Sequence, residues 1–230
     1  MNVQNIVLLV SGLINLIMSI FIFSRGWKNK VNLYFGLLTL STFFWATSLA
    51  LANAVAGDYW RMFARIPYPA SLGIAIFLFY FSIHFPFKQK SINLWTHLLI
   101  WLPAILFSVF VFIDNFFITG FNQNSDGIFY MIYYNNLVYI FFSLYFIAVV
   151  LAAVYCLIDK YKKAEILFRK HILFLLFTII IGLVLGSLFD LILCYFGNFN
   201  YAWAGPPFTL LMNFSVLYLI FSNKEKIKHG

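Results

Sequence analysis

Long apolar runs, broken by short clusters of basic or turn-forming residues, set the pattern of this chain. Seven runs approach the roughly 20 residues a helix needs to cross a bilayer. They are Asn5–Ser24, Val31–Asn53, Pro67–Phe85, Leu94–Ile113, Tyr134–Ile158, His171–Phe196 and Trp203–Phe221. The first run is too long for a signal-peptide core and no basic residue precedes it, so it is expected to persist as a helix. No polar block or Pro/Gly/Ser-rich linker divides the runs. No internal repeat of the kind that builds many transporters relates the first three to the last three. The expectation is an all-α, polytopic bundle of seven transmembrane helices, one domain over residues 1–230.

Composition supports lipid as the solvent. The chain is 63% hydrophobic and 10% charged, against about 45–50% and about 25% in soluble domains. The net charge of +8 would suit an anionic partner if the basic residues clustered on one face. Instead they alternate between loops. Arg25, Lys28 and Lys30 follow the first run, Lys88 and Lys90 the third, Lys160, Lys162, Lys163, Arg169 and Lys170 the fifth, and Lys224, Lys226 and Lys228 the seventh. The other loops hold only Arg61 and Arg65. Cytoplasmic loops carry the Lys/Arg excess, so the N-terminus is expected outside and the C-terminus inside. Nucleic acid is not an expected partner. Cys156 and Cys194 fall near opposite membrane faces, too far apart for a disulfide.

The outer loops are aromatic: Tyr59, Trp60, Tyr130, Tyr133, Tyr134 and Trp203. They fit an interfacial belt or an aromatic mouth for an apolar ligand. Asn122 to Gly127 reads as a turn within the longest outer connection.

Candidate chemistry centres on Asp190, the one acid placed inside a run. Gly182, Gly186 and Asp190 are four apart and share a helix face, so close packing against the seventh run, which opens at Gly205 and Pro206, is expected. Thr209 sits at the depth of Asp190, and Asn213 one turn deeper, level with Ser187. Both are placed to hydrogen-bond Asp190, as polar glue or as a ligand or proton-sensing site. Arg61 and Arg65 are further ligand candidates, or partners of Asp58 or Asp190. Asn15, Ser41, Thr42, Thr47, Ser48 and Asn53 add polar points expected to bond between helices, with a cavity as the alternative. His84, His97, His171 and His229 lack metal-ligand spacing; no metal or cofactor is expected. No hydrolase elbow or phosphate loop occurs. The nine residues after Phe221 leave no room for a kinase site, so no enzyme activity is expected.

The order of features resembles the seven-helix N-terminal sensor region of bacterial histidine kinases. The matching residues are Arg25, Asn32 to Leu38, Trp45, Phe63 to Ile66, Pro69, His84 to Pro86, Lys162 to Ala164, Arg169 to Leu173, Gly182, Gly186, Gly205-Pro206 and Tyr218 to Phe221. The resemblance implies a signal-sensing domain in the cell membrane, passing its signal to a separate cytoplasmic kinase or response regulator. A homo-oligomer is a further open partner. The alternative is a small transporter or channel subunit; an intramembrane lipid enzyme would need a catalytic set that is not seen.

Overall fold

The computed structural model describes residues 2–55, 59–87, 92–123 and 130–227. Asp58, Lys88, Lys90, Lys228, His229 and turn residues 124–127 lie outside them. The helices are α1 (Val3–Ser24), α2 (Lys30–Ala54), α3 (Tyr59–Arg65), α4 (Pro67–His84), α5 (Leu94–Phe110), α6 (Asn136–Lys163), α7 (Ile166–Gly186), α8 (Leu193–Tyr195) and α9 (Gly205–Ile227). A π-helical turn, Ser187–Ile192, joins α7 to α8, and a 3-10 turn, Ala202–Ala204, leads into α9.

Local chemistry sets several boundaries. Asn29 caps α2 by accepting from the Val31 amide at 2.9 Å. Asn93 does the same for α5 through the Thr96 amide, also at 2.9 Å. These bonds satisfy amides that the first turn leaves orphaned. Pro67 stands at the first position of α4, where its missing N–H costs nothing. The stretch carrying Arg61 and Arg65 is helical as well, so α3 and α4 form one apolar run from Tyr59 to His84.

Six of these runs are long and apolar enough to cross a membrane among the described residues. The Leu94–Phe110 helix is apolar but has only 17 residues, ending three short of the expected run to Ile113. Helices α6 and α9 extend past the expected ends at Ile158 and Phe221. The basic residues Lys160, Lys162 and Lys163 are therefore helical rather than in a loop. The connection from Asp114 to Tyr133 contains an unexpected antiparallel hairpin, β1 (Ile118–Gln123) with β2 (Tyr130–Tyr134), irregular between Ile118 and Gly120. Short strands of this kind carry a weaker pattern than the apolar runs beside them.

Packing follows a ring. Helix α1 contacts α2, α2 contacts α4, and the series continues through α6, α7 and α9 back to α1. Gly36 lets α1 and α2 approach closely: a Cβ there would lie 2.6 Å from the Phe23 ring. Ser19 also donates to the Gly36 carbonyl at 2.9 Å. Helix α5 lies outside the ring, against α4 and α6, and buries only Ile100 and Ala104. Leu94, Trp95 and Leu99 on α5 are each more than 70% exposed, a surface that lipid chains cover.

Most interior hydroxyls bond within their own helix. Thr42 donates to Leu38 O and Ser48 to Trp45 O. The expectation that they would link neighbouring helices is corrected: a carbonyl three or four residues back is the nearest acceptor. Asn15 does link helices. It donates to Ser11 O at 2.8 Å and accepts from Asn213 of α9 at 2.6 Å.

Lys160 is the largest departure from the sequence pattern. It is fully buried. Its Nζ donates to Ile83 O at 2.6 Å, Phe85 O at 2.9 Å and Phe87 O at 2.6 Å. These carbonyls end α4 and follow it, where helix acceptors lack intrahelical donors. The ends of α4 and α6 are thus tied by a cation with all three protons engaged.

Candidate functional site

A cavity of about 170 Å³ lies inside the ring. Its walls come from α2, α4, α6, α7 and α9, from β2, and from residues 199–203. The walls are mostly apolar, with Trp45, Phe142 and Phe146 among them. Among the described residues, no Lys, Arg or His lines it. Asp190 is, among the described residues, its single acidic lining residue, joined by the Asn53 amide and the hydroxyls of Ser187, Ser71, Thr209, Tyr68 and Tyr134. An apolar pocket with few convergent polar groups is the usual form of a small-molecule site.

Most of those hydroxyls are engaged. Tyr68 and Tyr134 share a hydrogen bond of 2.6 Å. Ser71 donates to Tyr68 O at 2.8 Å and Thr209 to Pro206 O at 2.6 Å. Asp190 Oδ2 and Ser187 Oγ differ: both are enclosed, and neither has a hydrogen-bond partner among the described residues.

The local fold explains why Asp190 is unsatisfied. It belongs to the π-helical turn, a rare geometry that recurs at functional sites. Tyr139 of α6 pins that turn by donating to Leu191 O at 3.0 Å. The turn sets the Asp190 carboxyl against Gly205, where a Cβ would overlap Oδ2 and come within 3.0 Å of the Trp45 ring. The carboxyl therefore occupies the space that Gly205 leaves at the start of α9. A helix N-terminus ordinarily offers amide donors and a favourable dipole to a carboxylate. Here the next two residues are Pro206 and Pro207, which have no N–H. The dipole remains, but two of the first-turn donors are missing.

Several expectations need correction. Thr209 lines the cavity, but its hydroxyl is spent within α9 and does not reach Asp190. Asn213 turns to Asn15. Gly182, Gly186 and Asp190 all line the cavity, but they do not form one close-packed seam. A Cβ on Gly182 would lie 3.9 Å from Phe208 O of α9, whereas one on Gly186 would meet nothing within 4 Å. The four-residue spacing assumed an unbroken α-helix, and the π turn breaks it after Gly186.

Neither Arg61 nor Arg65 lines the cavity. Arg65 forms an ion pair with Asp114, rather than with Asp190, and donates to Phe112 O at 3.2 Å. That hydrogen bond, then the guanidinium charge, holds the exposed Asp114 carboxyl below its ordinary value.

The aromatic residues divide. Tyr59 and Tyr133 face outward, Trp60 is buried against α2, and Tyr134 and Trp203 line the cavity. Ser187, Tyr68 and Tyr139 were not singled out as site residues. No single-position signal marks them, because their placement depends on the π turn and on how α4 and α6 pack. Cys156 and Cys194 are both free. Among the described residues, no His/Cys/Asp/Glu group could hold a metal ion.

The ring of apolar helices, clad in exposed large hydrophobics, defines a multi-pass membrane protein. More narrowly, the chain belongs to the family described as the N-terminal 7TM region of histidine kinase, whose model matches residues 7–224. No curated protein and no solved structure matches it.

Proposed function

We propose that residues 1–230 form one sensor domain of seven crossing helices in the plasma membrane, with the N-terminus outside and the C-terminus inside. A small ligand occupies the cavity beside Asp190. Its presence shifts α9 relative to α7, and the inner end of α9 passes that shift to a cytoplasmic kinase or response-regulator module, on the same polypeptide or on a partner. The chain senses and does not itself catalyse. The observation that supports this most is the contact of Asp190 with Gly205: the one carboxyl that lines the cavity among the described residues rests on the first residue of the helix that leads to the inner face. The alternation of basic loops supports the orientation.

The orientation predicts that a phosphatase fused after Gly230 stays inactive and one fused before α1 is active; the reverse pattern would refute it. The coupling predicts that cysteines at Asn15 and Asn213 cross-link, since their amides meet at 2.6 Å. Cross-linking should lock a reporter of the output module in one state. A reporter that responds normally in the locked protein would exclude the movement of α9. Steady flux of the ligand into proteoliposomes would favour the transporter instead.

A further inference from the structure

We propose that the cavity takes a small organic cation: a primary amine or ammonium group that meets Asp190 and Ser187, carried on a compact apolar body of about five to nine heavy atoms. The inference rests on the cavity being the input site and adds the chemistry of what enters it.

Charge is the first ground. Among the described residues, Asp190 is the only Asp, Glu, Lys, Arg or His that lines the cavity. A carboxylate in apolar surroundings is costly unless it is paired. The start of α9 favours negative charge there, but Pro206 and Pro207 withhold the donors that would satisfy it. The missing partner is a donor, and a cation is the donor whose charge the site complements. An anion would meet the carboxylate with no base nearby to compensate it.

The neighbours narrow the class further. Ser187 Oγ is enclosed beside Asp190 in the same π turn and also lacks a partner. An ammonium group has three donors and no acceptor, so it can serve both oxygens at once. Trp45 and Trp203 add aromatic surface to the walls, and ring faces attract cations. A guanidinium carries five donors in a rigid planar fork, more than the two unpartnered oxygens of Asp190 and Ser187 call for, so the compact ammonium is the closer match.

Volume limits the body. The cavity holds about 170 Å³. A dry cavity of about 150 Å³ suffices for benzene, so a single ring or a branched chain of similar bulk fills this one, and a peptide or a lipid headgroup with its chains does not. Gly186 faces open space at the wall, so a larger side chain there would take the volume the ligand needs.

The test uses the full chain in lipid nanodiscs and three molecules with one body: 2-phenylethylamine, 2-phenylethanol and phenylacetate, with isoamylamine as an aliphatic amine. Binding is read from the fluorescence of Trp45 and Trp203 and from the thermal transition, which a ligand of the folded state raises. Both amines should give saturable changes. The alcohol should bind at least tenfold more weakly, and the acid should give no saturable change. Asp190→Asn should weaken amine binding tenfold or more while leaving the unliganded transition in place. Gly186→Leu should abolish binding of both amines and of the alcohol by occupying the cavity. The comparison among ligands on the unaltered chain decides the matter even if a variant fails to fold. Equal binding of the alcohol or the acid, unchanged amine binding in Asp190→Asn, or no binding by either amine would each overturn the proposal. Amine binding that leaves the output reporter unmoved would uphold the ligand class and remove the sensing role.

Discussion

Lys160 and Asp190 occupy opposite ends of the ring, and each is an ionisable side chain placed among apolar neighbours. Their surroundings differ in one respect that decides what each can do. The ammonium of Lys160 gives its protons to three carbonyls. The carboxyl of Asp190 has an enclosed oxygen with no partner among the described residues. A buried charge with every bond filled ties elements together and has nothing left for a ligand. A buried ionisable group with an unfilled bond adds nothing to the fold through that bond and has capacity left for a partner. Burial alone does not mark a site; at Asp190 it is burial together with unmet hydrogen-bonding capacity at a cavity wall.

The contrast is tested most severely at Lys160. Lys160→Met leaves three carbonyls without their donor, and hydrogen bonds to charged groups contribute about 1.5–3 kcal/mol each. We expect a loss of about 3 kcal/mol or more, measured as the shift in denaturant-induced unfolding in bicelles. A change under about 1 kcal/mol would mean that the carbonyls find other donors and that Lys160 is not the tie described here.

Gly205→Ala comes next. Its Cβ would overlap the Asp190 carboxyl, and overpacking of this kind costs about 1–3 kcal/mol. Asp190→Ala should relieve most of that loss, so the two substitutions together should destabilise less than Gly205→Ala alone. Strictly additive losses would separate the two residues.

The Asn15–Asn213 bond is the middle case: uncharged, with the Asn213 amide donating to Asn15 while the Asn213 Oδ1 has no partner among the described residues. Hydrogen bonds between membrane helices average about 0.6 kcal/mol in double-mutant cycles. The cycle of Asn15→Ala with Asn213→Ala should give a coupling of that order. A coupling near zero would place the strength of the α1–α9 contact elsewhere.

A smaller effect is expected at the exposed Arg65–Asp114 pair. The guanidinium lowers the Asp114 carboxyl below its ordinary value. A carboxyl lowered on folding adds stability above its unfolded value, near pH 4, and loses it as pH falls through the lower folded value. Stability should therefore be level above about pH 5 and decline on acidification. Asp114→Asn should flatten that acid slope, and the change should be modest because the carboxylate is 83% exposed.

Asp190→Asn should change stability least of all, since it keeps the shape and the Asp190 Oδ2 has no hydrogen bond to lose among the described residues. A large loss there would show that the carboxyl is held by bonds after all.

Much of the architecture was legible in the chain. The apolar runs marked the helices because a bilayer demands about 20 residues that all tolerate lipid or a helix-filled interior. Family membership was legible from the order of short motifs. Asp190 could be singled out because an acid inside such a run is rare. Its partners could not be read. Spacing placed it beside Thr209 and Asn213, but one hydroxyl bonds its own helix and the amide turns to Asn15. Periodicity assumes a constant residue count per turn, and nothing in Ser187–Ile192 signals a departure from it. Lys160 was hidden for the opposite reason: it sits among Lys162 and Lys163, in a basic cluster that reads as solvated.

The π-helical turn also bears on chain length. Its hydrogen bonds run to the fifth residue instead of the fourth, so it holds one residue more than the α-helix around it. Removing one residue, such as Leu188, would let α7 and α8 join as a regular helix, with the flanking segments rotated by about 100° relative to one another. A deletion inside a crossing helix ordinarily misaligns everything beyond it. In this chain it would restore regular geometry and carry Asp190 away from Gly205. Natural length variation of a single residue at 187–192 would then separate chains that hold a carboxyl at the mouth of α9 from chains that do not.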